Sequence, residues 1–250
     1  MALVLLIAAV ILIGIIALAV RGIRNATAKA ELARESALIT PVPEATATPE
    51  PTPEPLPSPP EVDLDSWELR LVRQDNPLPS DYAPELTEIE DGQYFDSRAV
   101  RHLSALIKAA RDAGYTVYIC SGYRSYETQS WIYWNHVDDY MKQGMTQEEA
   151  EAATRIAVNY PGGSEHQLGL AADLLEYQTQ DMEPYIGGSG LMLWLEEHCA
   201  DYGFIIRYPE DKTDITGVEY EPWHLRFVGV CAQYIMENGL CLEEFLALYN

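Results

Sequence analysis

Two short stretches, Ser164-Glu165-His166-Gln167-Leu168-Gly169-Leu170-Ala171-Ala172-Asp173 and Glu221-Pro222-Trp223-His224, hold two imidazoles and several carboxylates. A catalytic zinc needs three protein ligands, an open position for water and a general base nearby. A third stretch, Ser121-Gly122-Tyr123-Arg124-Ser125, adds a guanidinium flanked by small and hydroxylated residues. That always-charged group can stabilise an oxyanion or grip a carboxylate. Taken singly, each has an ordinary reading: a structural histidine, a surface glutamate, an arginine in an ion pair. Taken together and in this order, they point to metal-assisted hydrolysis.

Spacing separates the roles. His166 and Asp173 lie seven residues apart, roughly 23 Å on a straight strand and about 10 Å on a helix. Sharing one ion therefore requires a bend, which Gly169 can supply. The expected arrangement is a loop carrying His166, then a strand over residues 170–174 carrying Asp173. His224 is the third ligand. Pro222 keeps the motif out of a helix interior, so Glu221 is free to act as base rather than ligand, with Glu219 its rival. Gln129 and Ser164 are candidate contacts for a substrate carboxylate. Tyr123 and Ser125 are further candidate substrate contacts; Tyr123 and Trp223 are candidates for shaping the pocket, with Trp223 the better placed for the core. His102, His136 and His198 fall outside the motifs.

Elements must position these residues. Alternation predicts a strand over 68–73, and a period near 3.6 predicts a helix over 96–113 that stops at Gly114. A β-rich run over 116–120 delivers the arginine loop. Helices follow over 126–142 and 146–158, the second capped by Thr146 with Glu148 and Glu149 in its first turn. A helix over 191–202, strands over 204–208 and 224–228, and helices over 230–238 and 242–249 complete the chain. Strands and helices mix without βαβ alternation, which predicts an α+β domain with a small antiparallel sheet flanked by helices.

The chain divides into three parts: 1–21, 22–62 and 63–250. Residues 2–20 are apolar without a charge; as a helix they would run roughly 28 Å, about a bilayer core. They are expected to form a transmembrane anchor or a signal segment. Arg21, Arg24 and Lys29 follow the run, and charge alone would keep the C-terminal side cytoplasmic. Residues 40–61 are proline-rich, which predicts a semi-rigid spacer of on the order of 70 Å. The formal charge of -23 excludes a nucleic-acid partner, because no basic stripe is present to neutralise phosphates. Four cysteines lack Cys-x-x-Cys spacing, which leaves disulfides or buried thiols but not a cysteine metal site.

These motifs resemble the VanY-type D-alanyl-D-alanine carboxypeptidases, zinc peptidases that trim peptidoglycan stem peptides. The Ser-x-His-x-x-Gly-x-Ala-x-Asp pattern is matched by Ser164, His166, Gly169, Ala171 and Asp173, beside the Ser-Gly-Tyr-Arg-Ser and Glu-Pro-Trp-His motifs. The resemblance implies a hedgehog/D,D-peptidase-like fold with one Zn2+ on His166, Asp173 and His224. It implies Glu221 as base and Arg124 as transition-state stabiliser; the apolar run and the proline-rich spacer add the expectation of an extracytoplasmic domain tethered to the membrane, against the charges that flank the run. Removal of a C-terminal D-Ala is the leading expectation. The alternatives are an L,D-carboxypeptidase acting on tetrapeptide stems and a non-catalytic wall-binding module.

Overall fold

The computed structural model describes residues 56–249 apart from 178, 180, 181 and 183, so the expected anchor and most of the proline-rich segment lie outside the described residues. Among the described residues no helix is long and apolar enough to cross a membrane.

The first strands of the described chain form a hairpin, β1 (Leu86–Glu90) and β2 (Gln93–Asp96). Its two-residue turn is Asp91-Gly92, both at positive φ (51° and 73°), the conformation that tight hairpins favour. Helix α1 (Val100–Asp112) follows and buries Leu103, Leu106, Ile107 and Ala110, an i, i+3, i+4, i+7 stripe. Next come β3 (Tyr118–Ser121), α2 (Tyr126–Lys142), α3 (Gln147–Ala157), the one-turn α4 (Glu165–Leu168) and β4 (Ala171–Leu175). The C-terminal half holds α5 (Gly190–His198), β5 (Phe204–Tyr208), the short α6 (Thr213–Thr216), β6 (Glu221–Phe227), α7 (Ala232–Glu237) and α8 (Leu242–Ala247).

Strands β3-β4-β6-β5 form one antiparallel sheet in that order. Ala172, Leu174, Phe204, Ile206, Leu225 and Phe227 join the main core with α1 and α5. Ile205 instead joins a smaller core with α7 and α8. Strand alternation thus frees the positions between the main-core residues for Asp173, His224 and Arg226.

Several boundaries differ from expectation. Residues 68–73 are no strand: Trp67–Leu69 is a 3-10 turn, and Arg73 forms only an isolated bridge to Asn76. Leu69 and Val72 are buried three apart, a spacing that a strand would send to opposite faces. Asp96 ends β2 instead of opening a helix, and the β1–β2 hairpin has no counterpart among the expected elements. The helix over 191–202 ends at His198 and finishes as a 3-10 turn. The capping box of α3 forms as its sequence suggests, with Glu149 N–H donating to Thr146 Oγ1 and Thr146 N–H to Glu149 Oε2. Cys199, Cys231 and Cys241 are buried free thiols; Cys120 is buried too, its Sγ 3.6 Å from the Tyr177 carbonyl.

Candidate active site

The sheet register brings the second and third motifs together. Asp173 on β4 lies directly opposite His224 on β6, so both side chains leave the same face of neighbouring strands. His166 arrives from α4, a single helical turn rather than the expected loop, which Gly169 ends in the left-handed region at φ 79°. A Cβ at Gly169 would lie 2.8 Å from Pro84 Cγ, so glycine is needed for space as well as conformation.

One ligating atom from each of His166, Asp173 and His224 lies within 4.8 Å of the other two. Asp173 Oδ2 is 3.2 Å from His166 Nε2, and Asp173 Oδ1 is 3.1 Å from His224 Nδ1. The nitrogens facing the aspartate are therefore Nε2 of one ring and Nδ1 of the other. His166 is fixed from behind: its Nδ1 lies 2.8 Å from the Gly122 carbonyl, to which it donates as the neutral tautomer. A Cβ at Gly122 would meet the Tyr94 carbonyl oxygen at 2.6 Å. Behind His224 sits Glu165, fully buried, its Oε2 3.7 Å from His224 Nε2.

The buried polar atoms give an independent test of fit for a metal. Asp173 Oδ1, His224 Nε2, Glu165 Oε2, Gln129 Oε1 and Arg124 Nε are buried without a hydrogen-bond partner. Two imidazoles and one carboxylate converging on one point are a zinc donor set, and an ion there would satisfy the aspartate that the protein leaves short. The donors fit.

Charge at the site is uneven. Burial and the nearby Arg124 push His166 down to about 4, so its imidazole is neutral at neutral pH. Burial also disfavours the charged form of His224, but Asp173 and Glu165 outweigh it and raise the ring to about 9. Burial alone would raise Asp173; the two imidazoles overcome it and hold the carboxyl well below the usual range. Glu221 is raised to about 7, chiefly by desolvation, with His224 pulling the other way. Its Oε2 lies 3.6 Å from His224 Nδ1.

Glu221 reaches that position through a distortion of the sheet. Between the pairs Ile206↔Leu225 and Tyr208↔Glu221, one β5 residue faces three of β6, Pro222 among them. Plain alternation would set Glu221 and His224 on opposite faces; the bulge re-aims the glutamate, and Pro222 occupies a spot where no ladder N–H is needed.

A cleft of ≈ 530 Å³ opens over the constellation. Arg124, Gln129, Ser164, Glu221 and Trp223 line it together with the three candidate ligands. Arg124 is tied to α4 by its N–H, which donates to the His166 carbonyl at 3.2 Å. Burial lowers its guanidinium's affinity for a proton, and Asp173 and Glu221 oppose this. Gln129 anchors its Nε2 on the Asn159 carbonyl at 2.6 Å, leaving Oε1 for the cleft. Glu219 also lines the cleft but is exposed. Two expected contacts are not among the lining residues. Ser125 caps α2, accepting the Thr128 N–H, and Tyr123 is held by its N–H to the Tyr94 carbonyl.

The family model for VanY, D-alanyl-D-alanine carboxypeptidase, matches residues 92–230. The chain belongs to the VanY family. A D-alanyl-D-alanine carboxypeptidase of Enterococcus faecalis is 42% identical over 185 residues, covering 74% of this chain and 67% of the relative. Among solved structures, VanYB in complex with D-alanine-D-alanine aligns at a TM-score of 0.65 and 41% identity, over 73% of this chain and 98% of that one. A VanY mutant from a VanB-type resistance cassette, in complex with Zn(II), aligns at 0.63 and 41%, over 72% and 99%. The LD-carboxypeptidase LdcB aligns at 0.61 and 37%, over 71% and 84%.

Sequence reasoning on this VanY domain overlooked two things. His136, outside every motif, lines the cleft from α2; its i, i+4 spacing with Ile132 and Tyr140 was the available signal. Glu165 sits inside a quoted motif, yet its partners Arg207 and Arg226 come from β5 and β6, so nothing local marked it. Arg207 Nε donates to Glu165 Oε1 at 2.8 Å and Arg226 Nη1 to the same oxygen at 2.6 Å.

Proposed function

We propose that this cleft hydrolyses the terminal peptide bond of peptidoglycan stem peptides, releasing D-Ala, with His166, Asp173 and His224 holding zinc. The observation that carries the reading is the register pair Asp173↔His224, completed by His166 and faced by Glu221 in a cleft that also contains Arg124. Bound there, zinc supplies a Lewis acid that polarises a carbonyl and eases the ionisation of water.

The protein's own groups do the rest. Glu221, raised to about 7, takes a proton from the attacking water and passes it to the leaving D-Ala amine as the C–N bond breaks. Its pKa suits a group that must both accept and donate near neutrality. Arg124 presents a buried positive charge to the oxyanion that develops on the former carbonyl oxygen. The Ser164 hydroxyl lines the cleft and can donate to the substrate's terminal carboxylate, whereas Gln129 Oε1, an acceptor, suits a substrate N–H. Glu165 lies behind His224, its carboxylate 3.7 Å from Nε2, where its charge favours a ring that keeps Nδ1 toward the ion.

Incubating the protein with peptides ending in D-Ala-D-Ala and in L-Lys-D-Ala, and measuring free D-Ala, tests the reading. Release from the first is expected. Release only from the second would make the chain an L,D-carboxypeptidase, as LdcB is; release from neither by zinc-loaded protein overturns the hydrolase reading. The apolar run and proline-rich segment support an enzyme tethered to the membrane with its domain outside the cytoplasm. Protease accessibility of the domain on intact cells tests that placement.

A further inference from the structure

Helix α2 presents three different faces. Gln129, Tyr133 and Val137, at i, i+4 and i+8, are buried. Ile132, His136 and Tyr140 repeat the interval one step round and line the catalytic cleft. A third stripe, formed by Tyr126, Ser130 and Trp134 beside Glu127, Trp131 and Asn135, lines a second groove with Ser80 from the facing loop. This groove holds ≈ 570 Å³. Trp131 belongs to both concavities, so the groove continues the cleft across one indole.

Two indoles on that stripe are left to solvent: Trp131 is 69% exposed and Trp134 41%. They are three residues apart, so on one helix face they are neighbours, with Cβ atoms ~5–6 Å apart. Trp134 is not loose, because its ring packs edge-on against buried Tyr133, centroids 5.2 Å apart at 89°. Between and around the rings stand a carboxylate, a carboxamide and hydroxyls from Glu127, Asn135, Ser80 and Ser130. Flat apolar faces alternating with small hydrogen-bonding groups suit a ligand whose own surface alternates C–H faces and hydroxyls.

From this geometry we infer that the groove is a saccharide subsite, in which Trp131 and Trp134 stack pyranose rings of the glycan to which the stem peptide is attached. The inference rests on the proposed peptidase reading, since a stem peptide in the cleft brings its glycan to the border that Trp131 occupies. An anionic lipid surface fits poorly, because Glu127 lies in the groove and the chain carries a formal charge of -23.

Two measurements separate this inference from the activity beneath it. The first compares kcat/KM for a free pentapeptide ending in D-Ala-D-Ala with that for the same peptide on a GlcNAc-MurNAc tetrasaccharide. The glycan-linked substrate is expected to be preferred by roughly tenfold, the worth of one good ring contact. Trp134→Ala, outside the cleft, should abolish the preference while leaving the free peptide's kcat/KM unchanged, and Trp134→Phe, which keeps a ring, should restore most of it. Equal values for both substrates, or equal losses on both in Trp134→Ala, overturn the inference. The second measurement titrates chitotetraose into metal-free protein by calorimetry, so its outcome does not depend on cleavage. Binding that Trp131→Ala and Trp134→Ala each remove supports the subsite; absence of binding overturns it even if the peptidase reading stands.

Discussion

At the scale of the residue, the site is a set of titratable groups pushed in opposite directions by shared burial. Glu221 carries the clearest cost. Its folded pKa of about 7 lies above the 4.5 of an unperturbed carboxyl, so the fold disfavours the ionised form. That penalty is absent below about 4.5, grows through the window up to 7, and is complete above it. Glu221→Gln should therefore raise the Tm of the metal-free protein at pH 8 and leave it unchanged at pH 4. The same variant should retain one zinc per chain and lose roughly 10²- to 10⁴-fold in kcat. Full activity would transfer the base role to Glu219, and a lower Tm at pH 8 would refute the desolvation argument. His224 offers a separate check. Metal-free, it is protonated up to about 9, whereas a ligating imidazole must be neutral. Zinc binding at pH 7.5 should release about one proton, read from calorimetry in buffers of different ionisation enthalpy.

At the scale of the element, the site depends on a buried network joining five parts of the chain. Glu165 on α4 meets Arg207 on β5 and Arg226 on β6. Arg207 is gripped in turn by Glu243 of α8 at 2.7 and 2.9 Å. Arg226 donates to the Glu68 and Arg70 carbonyls, both at 2.9 Å, which ties down the N-terminal 3-10 turn. Such an arrangement costs desolvation, and removing one partner leaves a buried charge uncompensated. It also sets the Glu165 carboxylate beside His224, Oε2 lying 3.7 Å from Nε2. Glu165→Gln should weaken zinc binding by roughly 10- to 100-fold and shift the His224 Nε2–H resonance in nitrogen-15 spectra. A variant that loses stability but binds zinc normally would reduce Glu165 to a packing role. This network was not legible beforehand, because Glu165, Arg207, Arg226 and Glu243 are scattered in sequence and meet only across strands. The hairpin was passed over for a different reason, because its signal is local and was there to use: Asp91-Gly92 between alternating residues is a strong turn signal.

At the scale of the whole molecule, the beginning of the described chain is not detached from the domain. Tyr234 Oη donates to the Pro57 carbonyl at 2.7 Å, and Tyr249 Oη to the Pro60 carbonyl at 2.5 Å. Carbonyls three residues apart repeat after one turn of polyproline II, and Val62 packs on the core that contains both tyrosines. Residues 57–62, expected as linker, are therefore seated on α7 and the end of the chain. The Tyr234→Phe, Tyr249→Phe double variant should open the exposed Glu61–Val62 bond to a Glu-specific protease at least several-fold faster, with kcat/KM for free peptide unchanged. An unaltered cleavage rate would mean that Val62 packing alone holds the segment.

The chemistry was legible because it is a matter of residue type and local order. Two His-containing motifs, an invariably charged arginine and a glycine able to take positive φ imply a bent metal site with a base beside it, whatever the fold. Helices α2 and α3 were legible for a similar reason, since their caps and periodicity are local. Tertiary structure alone decided which atoms face one another. Asp173 meets His224 only because β4 and β6 pair in that register, and Glu221 turns to the same face only through the bulge at Pro222. These outcomes depend on strand pairing and burial between segments far apart in the chain, and no local spacing encodes them.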